Sequence, residues 1–308
     1  MLEGTYTGKD RFLNLFYDPV LSGFALSPKT QLSLFILRID GGRFDYDAMY
    51  RELGNASIAY VLSRSQYSGY TKENAHQTVR YVQGRFRNAD VNDGEGGELL
   101  LYCFLEAHLG APKILSKMEL KTASNNYVNG SDGVHLLDLG GDSYHLIFGE
   151  SKMISDSTIK GSSFRKAIAD AFKSIKKVEE QGLVDEVQLI DSNLMKEAFD
   201  ESAIAQLKAI LIPSARKSSV KKQNAFGIFV GFEIDTTDWD VIDMSEQEFE
   251  DRIKSEVQAA TEEKYDYIRN KIIEHGLAGY HFYIYAVPFI KDGSTDIDKT
   301  RKQIIGQI

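Results

Sequence analysis

The chain is 308 residues long, 43% apolar and 26% charged, with a formal net charge of −9. Such a composition supports a sizeable core in one large domain or two intimate ones, and no apolar run approaches the roughly 18 residues that a membrane-spanning helix needs. A single cysteine, Cys103, excludes an internal disulfide and a thiolate zinc cluster and points to the reducing cytoplasm.

The N-terminal stretch MLEGTYTGKDRFLN lacks a charged start followed by an apolar run, so no secretory signal is expected there. Residues 31–40 (QLSLFILRID) predict a strand ended by Gly41-Gly42, residues 45–53 a short helix, and residues 56–63 (ASIAYVLS) a second strand. Residues 71–90 are polar and mixed, a helix and then a loop, so that 1–90 form an N-terminal α/β subdomain. Residues 97–110 (GELLLYCFLEAHLG) predict an apolar helix stopped by Gly110 and Pro112. A strand is expected at 114–122 and turns at 123–131, then a β-hairpin built from DGVHLLDL and SYHLIFGESK around GGD. A long helix follows over 157–181, with Phe164, Ile168, Ala171, Phe172 and Ile175 at helical spacing, and VDEVQLI (184–190) is a further strand. The last third reads as a helix (193–211), a basic loop (213–224), a strand (226–235), a charged amphipathic helix (245–275) and a final strand (280–289). It completes the same sheet or packs beside it.

The hairpin is the first pointer to chemistry. With Gly140, Gly141 and Asp142 as a three-residue loop, Leu139 faces Ser143 and Asp132 falls opposite Glu150 on one face. Directly opposed residues have Cβ atoms about 4.5–5.5 Å apart, so two carboxylates placed there call for a cation or a shared proton. Lys152 points the same way because side chains alternate along a strand. In the preceding helix Glu98 shares its face with Leu101, Tyr102, Leu105 and Leu109, and a carboxylate on an apolar stripe is costly to bury unless paired or metal-bound. Glu106 lies off that stripe and is expected to be solvated. Hard oxygen ligands suit Mg²⁺, with Mn²⁺ as a substitute. Glu98, Asp132 and Glu150 are thus candidate metal ligands, and Lys152 is the candidate to orient a water or steady developing charge. The bland alternative is that the strand acids are simply solvated.

Other polar residues have plainer readings. Asp138 and Asp142 suit turn chemistry, His135 and His145 suit packing, and His76, His108, His275 and His281 form no ligand-spaced cluster. There is no GxxxxGK[ST], so no nucleotide cofactor is expected on this chain. Lys160, Arg165, Lys166, Lys173, Lys176 and Lys177 stud the helix after the hairpin, either as an exposed face or as a track for a phosphate backbone. Arg216, Lys217, Lys221 and Lys222 make a second basic patch. The acidic net charge argues against tight independent DNA binding without excluding cutting, since binding needs only a local basic patch.

At these residues the chain resembles the PD-(D/E)XK nucleases: GELLLY with Glu98, SDGVHLL with Asp132, and GESK with Glu150 and Lys152, Ser131 standing where the nominal proline would be. The stretches ASIAYVLSRS, GELLLYCFLEAHLGAPKILSKMELKT and GSDGVHLL…FGESK are more narrowly similar to the HamA family, nuclease subunits of the Hachiman antiphage defence system. The likeness runs over most of the chain and is most specific between residues 95 and 180. It implies an α/β, restriction-endonuclease-like core over 91–192, a mixed sheet flanked by helices, with elaborations at 1–90 and 193–308. It further implies Mg²⁺-dependent cleavage of DNA in a bacterial cytoplasm, with a HamB-like helicase subunit as partner. Two other functions stay open on the residues alone. One is a non-catalytic module that holds a helicase; the other is an RNase of the same fold, because recognition of the 2′-hydroxyl leaves no short motif.

Overall fold

The structure, a computed structural model, describes residues 3–86, 94–120, 130–156, 161–181, 183, 207–211 and 219–308. Its centre is a seven-stranded mixed sheet of β1 (Leu21–Ser27), β2 (Thr30–Leu34), β5 (Lys113–Ser116), β6 (Gly133–Gly140), β7 (Ser143–Met153), β8 (Lys221–Asp235) and β9 (His281–Lys291). The strand order is β1-β2-β9-β8-β7-β6-β5, while β3 (Ile39–Asp40) and β4 (Arg43–Phe44) form a separate small hairpin. Strands β2, β9, β8 and β7 pair in parallel, and the β1–β2, β5–β6 and β6–β7 pairings are antiparallel. Strand β8 is buried without interruption from Ala225 to Glu233, as expected of a parallel strand covered on both faces. The N-terminal, middle and C-terminal segments therefore all contribute strands to one sheet.

Two helices cover the centre of that sheet. Helix α5 (Glu95–Ala107) lies on one face, where Phe104 stacks on Phe229 of β8 with centroids 6.1 Å apart. Helix α7 (Ser163–Gln181) lies on the other, where Phe164 stacks on Phe232 at 4.4 Å. Phe164, Ile168, Ala171, Phe172 and Ile175 are all buried, as their helical spacing predicts. The hairpin register also holds, with Val134 facing Phe148 and Asp138 facing Tyr144. The turn itself is tighter than expected. Gly140 pairs with Ser143, and Gly141 and Asp142 both adopt positive φ, a two-residue hairpin turn beside a bulge.

Several expectations need correction. Residues 56–63 are not a strand: one helix, α2 (Tyr46–Val61), runs through the first six of them, and Leu62 and Ser63 are the extended link that follows. Asp45 caps its start by accepting from Ala48 N at 2.9 Å. At its end the buried Lys113 ammonium donates to the carbonyls of Ala59, Tyr60 and Leu62 at 2.9, 3.0 and 2.9 Å, satisfying groups that a helix end leaves open. A short apolar run looks alike as strand or buried helix, and the deciding cap comes from far along the chain. The strand expected at 114–122 is cut short by the one-turn helix α6 (Lys117–Leu120). The segment 245–275 is two helices, α8 (Glu246–Glu262) and α9 (Tyr265–Glu274), and the chain ends in α10 (Ile297–Gly306), a helix that the sequence pattern did not announce. The strand at 184–190, most of the helix at 193–211 and residues 213–218 of the basic loop lie outside the described residues. No helix among the described residues is long and apolar enough to cross a membrane.

Candidate active site

The four expected residues gather where α5, the start of β6 and the C-terminal end of β7 meet. Helix α5 comes close to β7 because Gly97 has no side chain: a Cβ there would lie 3.3 Å from both Ser151 Oγ and Met153 Cγ. That approach carries Glu98, buried at 7% exposure, into the site. Tyr60 of α2 donates to Glu98 Oε2 at 3.1 Å, so the correction to α2 bears directly on the site.

Asp132 sits just before β6. The register expected to face it with Glu150 stops at Val134, and Asp132 N donates instead to Gly149 O at 2.9 Å. Its Oδ2 accepts from Ser151 N at 2.8 Å and Ser151 Oγ at 3.0 Å. Its Oδ1 lies 3.3 Å from Lys117 Nζ, which is also 3.3 Å from Glu98 Oε1. Lys117, which no sequence motif singled out, thus bridges the two acids. A lysine inside a stretch that reads as strand carries no periodic signal to mark it.

Glu150 and Lys152 lie on the α7 side of β7. Lys152 Nζ is 2.5 Å from Glu150 Oε1, and Ser174 of α7 also hydrogen-bonds to Glu150. Burial, then the nearby charge of Asp132, pushes the Glu150 carboxyl up to about 7 despite the opposing pull of Lys152. Lys152 is in turn held charged above its ordinary value, because Glu150 outweighs the effect of burial.

The acids therefore form a bridged pair, Glu98 with Asp132, and a single buried neighbour, Glu150. As placed, the described residues contain no group of three or more His, Cys, Asp or Glu side chains positioned to hold a metal ion. The donor chemistry still fits a hard divalent cation, since the available ligands are carboxylate oxygens.

The basic helix bears on the same place. Lys152 lines an open cleft of about 570 Å³ with Asp170, Lys173, Ser174, Lys176, Lys177 and Glu180 of α7 and His275. Lys173 and Lys177 are exposed there, while Lys176 pairs with Glu179 at 2.8 Å and Glu180 at 3.6 Å. Lys166 is exposed, and the Arg165 guanidinium lies over the Tyr267 ring at 4.6 Å. Lys160, Arg216 and Lys217 lie outside the described residues. Lys221 and Lys222 pair with Ser143 and Tyr144 at the opposite end of β7, away from this cleft.

Glu106 overturns its expectation of solvation. It is fully buried and accepts from Tyr6 N at 3.2 Å and Lys113 N at 2.8 Å, because the N-terminal segment wraps over α5. His135 and His145 are packing residues as expected, bonded through Nδ1 to Ala111 O at 2.8 Å and Tyr283 Oη at 2.7 Å. Asp138 makes its turn contact, accepting from Gly140 N at 2.8 Å.

No curated protein matches the sequence. The family profile HamA matches residues 10–307, nearly the whole chain. The helix glutamate, the hairpin acids and the following lysine therefore sit within a sequence that matches one family from end to end, and the chain belongs to the HamA family of Hachiman antiphage defence.

Proposed function

We propose that this chain is a Mg²⁺-dependent deoxyribonuclease, the effector of a defence complex in which a HamB-like helicase is the motor. The observation that carries the reading is that Lys152 belongs at once to the acidic site and to the lysine-lined cleft, so a phosphate backbone following α7 arrives at Glu150. Glu98, Asp132 and Glu150 would supply the carboxylate ligands of the metal. When bound, Mg²⁺ supplies Lewis-acid polarisation of the phosphoryl oxygen and a more acidic water. Lys152 holds its ammonium against Glu150 and steadies the negative charge that grows on the phosphorus centre. Ser151 fixes Asp132 by two hydrogen bonds, and Tyr60 fixes Glu98, so neither carboxylate must be ordered when substrate arrives.

The test is conversion of plasmid DNA by the purified complex with Mg²⁺ or with EDTA. Wild type is expected to cut only with Mg²⁺, and Glu150→Ala to abolish cutting while the complex still assembles. Undiminished cutting by that variant overturns the assignment. One observation favours a second reading: Lys117 already bridges Glu98 and Asp132, and Lys152 already pairs with Glu150, as in a purely structural ion-pair network. On that reading the chain is a non-catalytic module for the helicase, and the assembled complex shows no metal-dependent cleavage of DNA or RNA. Cleavage of RNA in preference to DNA assigns the same site to an RNase.

A further inference from the structure

The Lys117 ammonium stands equidistant from Glu98 Oε1 and Asp132 Oδ1, at 3.3 Å from each. Both distances exceed the roughly 2.7–2.9 Å of an optimal charge-assisted bond between ammonium and carboxylate. The cation is therefore centred between two anions rather than committed to either. Its side chain retains 15% exposure, so solvent reaches it.

The backbone beneath this side chain is pinned independently. Lys117 N donates to Asp132 O at 3.3 Å, and α6 is anchored by Glu119, whose N donates to Ser116 Oγ at 3.2 Å. Glu119 also pairs with the buried Lys113 at 2.5 Å. Movement of the ammonium away from the acids thus leaves this backbone in place. The other oxygen of each carboxylate keeps its partner, Tyr60 on Glu98 Oε2 and Ser151 on Asp132 Oδ2.

We infer that Lys117 is an internal counter-cation of the metal site, which holds the Glu98–Asp132 pair together until a divalent ion takes its place by exchange. This rests on the proposed metal site. A divalent ion in place of the single charge of Lys117 puts one more positive charge between Glu98 and Asp132. The exchange explains how buried, mutually repelling acids stay assembled without metal. It also sets a threshold for loading, since an incoming ion must displace a tethered competitor.

The experiment is titration calorimetry of Mn²⁺ into the purified chain, comparing wild type with Lys117→Met, which keeps length and loses charge. Removing a like charge from the immediate neighbourhood of a divalent ion is expected to tighten binding by about tenfold or more. Lys173→Met, the same charge change in the lysine cleft, is expected to alter affinity far less. With EDTA, Lys117→Met is expected to melt below wild type, and saturating Mn²⁺ to recover more of its melting temperature. Should the methionine variant fail to fold, Lys117→Gln carries the same expectations. Binding by wild type with equal or weaker binding by a folded Lys117 variant overturns the exchange and leaves the metal site standing. Failure of wild type and variant alike to bind Mn²⁺ overturns the metal site and the exchange with it.

Discussion

Glu150 is 7% exposed and close enough to Asp132 to feel its charge, and both facts push its carboxyl up to about 7. A carboxyl raised in the folded protein stabilises the fold below its ordinary value near 4.5 and loses that contribution as pH rises through about 7. The contribution of Glu150 to the stability of the metal-free protein should therefore fall between pH 5 and pH 8, by an amount on the order of 3 kcal/mol at most, against the opposite slope that buried His135 imposes below its ordinary value. Glu150→Gln should flatten that slope, as thermal melts in EDTA at stepped pH will record; an unchanged slope places the titration elsewhere. Lys152 leads to a separate outcome. Lys152→Ala should leave metal binding nearly intact while lowering the single-turnover cleavage rate about 10²-fold or more. Lys152→Arg should rescue poorly, because a planar guanidinium does not replace a compact ammonium. Full cleavage by the alanine variant contradicts the role assigned to Lys152.

Helix α5, helix α7 and the β6–β7 register were legible because each rests on a local repeat: apolar spacing along a helix, or alternation around a glycine turn. What escaped depends on partners distant in sequence. Residues 56–61 are helical in the fold, where Lys113 caps α2 from outside it, and Glu106 is buried because Thr5 and Tyr6 supply its donors. Lys117 was hidden for the same reason, its two anions lying on α5 and before β6. Helix α7 then yields its own prediction. Lys173→Glu with Lys177→Glu should weaken DNA binding and reduce the salt slope by about one for each phosphate that is no longer neutralised. Fluorescence anisotropy at several salt concentrations reads both, and binding unchanged by the double reversal removes α7 from the DNA path.

For the whole molecule, the proposed function joins a net charge of −9 to a lysine-lined cleft along α7, so the chain should engage DNA locally while repelling it at long range. The isolated chain should bind DNA weakly and with steep salt dependence, and its complex with the helicase more tightly. Nanomolar, salt-insensitive binding by the chain alone contradicts that division of labour. The central claim is that buried acids around β7 hold a divalent ion where the phosphate cleft ends. Anomalous scattering from Mn²⁺ in crystals of the chain tests it most directly. The account predicts a peak beside the carboxylates of Asp132 and Glu150 that disappears in Asp132→Asn; Mn²⁺ bound elsewhere, with no peak at these acids, contradicts it.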